Sequence, residues 1–177
     1  MGIRERKQRE KSDLRNRIVR AASEIVAREG HENLTVRKLA AAIEYSPRTI
    51  YLYFEDRDAV LREVVESGFR RTLSRRSNET PEIAGSPKEL MAHRIRRHIE
   101  TAIEEGNFYR AVVTVLMSAD YAPGPAQQSI VRETREEIRA VIPHDQRTEE
   151  EVDRFTMIFF SSLRGFTLSL VNRAESL

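Results

Sequence analysis

Cysteine is absent from this chain of 177 residues. Without it there is no disulfide framework, no thiolate metal site and no thiol nucleophile, and a reducing cytoplasm is the expected compartment. Glycine and proline are scarce, at 7 and 6 residues, which disfavours a loop-rich or low-complexity chain and favours helices. No stretch approaches the ~20 apolar residues that cross a bilayer; the longest central run, Ala111 to Met117, is interrupted by Thr114. The opening MGIRERKQREK has no apolar centre and does not read as a secretory signal. A glycine-rich phosphate loop and a Gly-x-Ser-x-Gly elbow are also missing. With no group of residues arranged for chemistry, neither an enzyme nor a cofactor is expected.

What is present is a hydrophobic fraction of 40% and a charged fraction of 33%, enough for a packed core in a helical protein. Strand-like alternation and internal repeats are not found, so the expected fold class is all-α. The net charge of +2 hides an asymmetry: residues 1–76 carry 18 basic against 12 acidic side chains, and residues 77–177 carry 12 against 16. A polyanion would dock on the first part. The expected organisation is a basic arm over 1–11, either a frayed helix or disordered, a compact domain over 12–76, and a second helical domain over 77–177. Breaks are read at Ser77 to Pro87, at the Tyr121–Pro125 turn and at Pro143.

The densest information lies in TVRKLAAAIEYSPRTIYLYFEDRDAVL, Thr35 to Leu61. Thr35 caps a helix whose Val36, Leu39, Ala40 and Ile43 fall at i, i+3, i+4 and i+7. Ser46 caps a second helix with Pro47 at its first position, where the missing N–H costs nothing. That helix is too short to persist alone. Ile50 and Phe54 point to a core, leaving Arg48, Thr49, Tyr51 and Tyr53 to face outward. A short, capped helix with that outer face suits the DNA major groove.

In order and spacing, Thr35, Leu39, Ala40, Ser46, Ile50, Tyr51, Tyr53, Phe54 and Leu61 resemble the DNA-binding domain of TetR-family transcriptional regulators. Three positions depart from that pattern: Glu44 for the usual Gly of the turn, Tyr45 for Val, and Arg57 for Lys. The resemblance implies a homodimer on double-stranded operator DNA, repressing until a small, largely apolar effector enters the second domain. It implies phosphate contacts from Thr35, Tyr51, Tyr53 and Arg57. From its place near the N-terminal end of the recognition helix, Arg48 is expected to read guanine. Arg37, Ser46, Pro47 and Thr49 complete the expected DNA-facing set. A regulator governed by a protein partner, with the second domain only a dimer scaffold, is the alternative.

In the second domain, Ser161, Gly165 and Ser169 recur every four residues on the last helix. They make a stripe that admits another helix closely, from a second subunit or from the same one. Met91, Ile95, His98, Met117 and Phe159 are the expected effector-facing residues, although each also suits an ordinary core. His93 and His98, five apart on one helix, point about 140° away from each other and do not make a metal pair.

Overall fold

A computed structural model describes residues 2–78, 85–144 and 148–174. Among them the chain forms eight α-helices and one short 3-10 turn, with no strand. Helix α1 spans Ile3–Glu29 and starts well before the expected beginning near Ser12. The expected arm is therefore its first turns. Arg, Lys, Glu and Gln are good helix formers; the Gly2 N–H donates to Glu5 at 2.9 Å and Arg6 pairs with Glu10 at 3.5 Å. Residues 4–13 are all exposed, so this segment adds nothing to the core. At the other end Gly30 stops α1 with φ +85°, and the 3-10 turn His31–Asn33 follows.

Helices α2 (Val36–Ala42) and α3 (Pro47–Tyr51) form the compact pair read from the sequence. Thr35 Oγ1 accepts from Lys38 N at 3.1 Å and Ser46 Oγ from Thr49 N at 3.2 Å, capping both as expected. The turn between them needs one left-handed residue, and Glu44 adopts it at φ 61°. Any side chain but glycine is strained there by ~1 kcal/mol. Ile18, Leu39, Ile43, Ile50, Val60 and Val64 close the core beneath, each no more than 2% exposed. Arg15 reaches from α1 to Glu63 at 2.6 Å, clamping the first helix to the fourth.

Helix α4 spans Arg57–Asn78, taking in Ser77 and Asn78, which were expected in a loop. The middle of that expected loop, residues 79–84, lies outside the described residues. Next come α5 (Pro87–Glu104), capped by Ser86, α6 (Gly106–Leu116), α7 (Pro125–Val141) and α8 (Glu149–Ala174). Helix α6 packs on α1, α4, α5 and α8, and its Ala111 and Val115 belong to the same core as α1 to α4. The two halves thus share a core across the boundary expected at 76/77.

The sequence spaces Leu90, Met91, Ile95, Ile99, Ala102 and Ile103 for an inward face on α5 and Ile130, Val131, Ile138 and Val141 for one narrow row on α7, and both stripes differ in the structure. On α7 the buried row is Ala126, Ile130, Thr134 and Ile138, a strict four-residue spacing that brings in Thr134 and leaves Val131 and Val141 at the margin. Thr134 is tolerated because its hydroxyl receives Arg76 at 3.2 Å. On α5 only Ala102 is buried and Ile103 is 41% exposed. That helix faces a hollow rather than a packed interior. The acidic start of α8 also has partners: Glu149 takes Arg139 at 2.8 Å, and Asp153 takes Arg135 at 2.6 Å. None of the helices described is long and apolar enough to cross a membrane.

Candidate nucleic-acid interface and interior cavity

The outer face of α3 is built by burying its inner one. Ile50 and Phe54 are 1% and 5% exposed, which fixes the rotation of this short helix and leaves Arg48 and Tyr51 in solvent. Arg48 and Arg37 are exposed and have no partner among the described residues. Their guanidinium groups are available to an incoming anion or base edge. Thr35 and Pro47 are exposed as well. Ser46 and Thr49 have their hydroxyls 3.1 Å apart, so both are engaged in the cap as well as near the surface. Tyr53 is half-buried against the core, presenting less of itself than expected.

Arg57 departs from the expectation. Its Nε donates to the Leu34 carbonyl at 3.1 Å, its Nη2 to the His31 carbonyl, and its Nη1 to Asp58 at 2.7 Å. The side chain is turned inward and ties the start of α4 to the loop ahead of α2. A cation already engaged with two carbonyls and a carboxylate is not presented to a phosphate.

Two surface residues here were missed by sequence reading. Tyr45 is 43% exposed with Arg17 over its ring at 5.7 Å, and Leu52 is 71% exposed. Leu52 lies off the Ile50–Phe54 row, and that offset is the trace it leaves in the sequence. An apolar side chain on such a face can meet a thymine methyl group.

Helices α4 to α8 enclose a cavity of about 450 Å³, within the ~300–1,000 Å³ usual for small-molecule sites. Met91, Ile95, His98 and Phe159 line it. Met117 does not: it caps the end of α6, is 70% exposed, and its sulfur receives Arg164 at 3.5 Å. Helix α6 ends at Leu116, one residue short of Met117, so Met117 is not carried inward.

His98 meets Tyr109 edge-on at 5.6 Å. Burial among protein atoms, then the positive charge of Arg76, push its pKa down to about 4. Its surface nonetheless stays accessible, because what it faces is the hollow and not a packed neighbour. Sequence reading also missed the role of Gly68. A Cβ there would stand 2.3 Å from Phe108 Cζ, so α4 and α6 touch through glycine and ring, and Phe108 becomes a wall of the cavity.

On α8, Ser161, Gly165 and Ser169 are exposed, and a Cβ on Gly165 would meet nothing within 4 Å. Around them stand Met157, Ile158 and Phe166, which are 65%, 50% and 58% exposed. Packing within the same subunit, one reading of this stripe, is not what the structure shows. Among the described residues no group of three or more His, Asp or Glu is placed to hold a metal ion.

Residues 18–64 match the family described as bacterial regulatory proteins, tetR family. A curated relative from Haemophilus influenzae, an uncharacterized HTH-type transcriptional regulator, is 38% identical over 73 residues. The match spans 40% of this chain and 39% of that relative's length. Among solved structures, BioQ with its double-stranded DNA operator superposes with a TM-score of 0.69 at 20% identity, covering 89% of this chain and 86% of that one. RolR in complex with resorcinol gives 0.70 at 21% identity, covering 93% and 81%. At such identities the likeness is one of fold.

Proposed function

We propose, from the match of residues 18–64 to the tetR family of bacterial regulatory proteins, that the chain represses transcription as a two-fold dimer on a near-palindromic operator. A small effector filling the interior cavity would release it. The observation that carries this reading is α3: capped, five residues long, held by Ile50 and Phe54, with Arg48 and Tyr51 outward. Arg48 would read a base edge and Tyr51 donate to a phosphate, the first giving sequence and the second register.

One such helix covers a half-site. Two half-sites about 34–36 Å apart require two copies, and the α8 face around Gly165 supplies a surface on which they can meet. BioQ, solved on its operator, and RolR, solved with resorcinol, are precedents within this fold for each kind of partner.

Coupling would run through α4, which starts three residues after Phe54 and lines the cavity with Gly68. Glu66 of α4 also accepts from the Ala126 N–H at 2.6 Å, fixing the start of α7 to it. An occupant that spreads these helices shifts the separation of the two α3 helices, by no more than its affinity differs between the two forms.

The test is retention of a randomised duplex library by the purified dimer at low ionic strength, followed by a thermal-shift screen of small hydrophobic compounds. Failure to retain any duplex refutes the DNA reading. Silence across the screen favours control by a protein partner.

A further inference from the structure

We propose that the cavity is built for an amphipathic anion, an apolar body bearing one carboxylate or phosphate, and that Arg71 and Arg75 of α4 hold the anionic group. This rests on the cavity being an effector site.

Six arginines line it, Arg71, Arg75, Arg76, Arg94, Arg97 and Arg164, against two carboxylates, Glu105 and Glu137. Three of the six are already neutralised. Arg94 pairs with Glu137, Arg76 lies 3.8 Å from Glu133, and Arg97 lies 3.4 Å from Glu100. No described carboxylate pairs with the others. Arg71 reaches only Ser67 Oγ at 3.4 Å and the face of Phe108 at 5.4 Å. Among the described residues Arg164 reaches the Met117 sulfur and acts on the Tyr109 hydroxyl, and Arg75 has no partner.

Arg71 and Arg75 are four residues apart on one helix, hence neighbours on one face, and both open into the hollow. Two guanidinium groups with no carboxylate among the described residues, and the apolar Phe69, Phe108, Val112 and Ile130, line the same hollow, giving it an apolar floor and a cationic edge. Guanidinium forks match carboxylate and phosphate oxygens bidentately. Cationic ligands are repelled by the same groups.

The experiment is calorimetric titration of the intact protein with two scaffolds, decyl and 2-naphthyl, each as carboxylate, alcohol and trimethylammonium, at one ionic strength and below micelle formation. On at least one scaffold the carboxylate should bind tenfold or more tighter than the alcohol, about the step one charge-assisted hydrogen bond supplies. The ammonium should not bind. In an Arg71→Gln/Arg75→Gln protein the carboxylate should fall to the alcohol's affinity while the alcohol's own affinity holds.

Equal binding of alcohol and carboxylate to the wild type overturns the anion assignment and leaves the effector cavity standing. A carboxylate preference that survives the double substitution overturns the assignment to these two arginines. Silence from all six probes overturns the cavity reading and this proposal together.

Discussion

Replacing Arg57 by alanine separates a structural role from a phosphate-binding one. The side chain donates to the Leu34 and His31 carbonyls and to Asp58. A hydrogen bond from a charged donor contributes ~1.5–3 kcal/mol net, so the two carbonyl bonds alone set an upper range of ~3–6 kcal/mol. The side chain is 35% exposed, and water can replace part of what is lost. The Asp58 contact is at the surface and adds ~1 kcal/mol or less. Arg57→Ala should therefore destabilise the N-terminal half by ~2–3 kcal/mol. Urea unfolding at matched protein concentration would show this as a lower midpoint with an unchanged slope. Arg57→Lys keeps the charge but not the fork that serves two carbonyls at once, and should recover half of the loss or less. The salt dependence of DNA binding should not move in either variant. If Arg57→Ala unfolds like the wild type while its log K against log salt slope drops by ~1 per binding site, the side chain serves phosphate and the inward geometry is refuted.

The remaining predictions are briefer. Arg48→Ala should relax operator preference by ~1–3 kcal/mol at one base position of each half-site, seen in selected-duplex competition; an unchanged preference would rule out base reading by Arg48. Gly165→Leu places a branched side chain on the open α8 face and should convert dimers to monomers in sedimentation velocity, whereas an unaltered profile would exclude that face as the contact. His98 is neutral in the fold down to about pH 4 but titrates near 6.5 when unfolded. The unfolded state binds the extra proton first, so stability should fall as pH drops from 6.5 toward 4 and be insensitive to this group above that window. His98→Gln should flatten that limb, and an imidazole NMR titration with a midpoint at 6.5 would contradict the desolvation assigned to this ring.

The N-terminal half was legible because its determinants are local. Caps at Thr35 and Ser46, Pro47 at the first turn, and the Ile50–Phe54 row each fix geometry within four residues, while the turn at Glu44 was implied by the resemblance and takes φ 61°. The bounds of α1 were harder, since a run of exposed charged residues suits a helix and a disordered arm equally. In the second half the apolar rows on α5 and α7 read as core, yet a hollow lies beside them. The sequence contains no symbol for empty space, so Met117 was placed inside and Thr134 overlooked.

From the chain alone came the all-α class, the position and orientation of α3, and the resemblance that the family match over residues 18–64 supports, because capping and periodicity act between neighbours in sequence. Only the tertiary structure decided which arginines do what. Arg57 turns to carbonyls 23 and 26 residues away, and Arg94 finds Glu137 across the bundle. Among the described residues Arg71 and Arg75 meet no carboxylate, and Arg71 lies instead over the Phe108 ring. The fate of a charge depends on what lies within a few ångströms of it, and helix packing alone sets that.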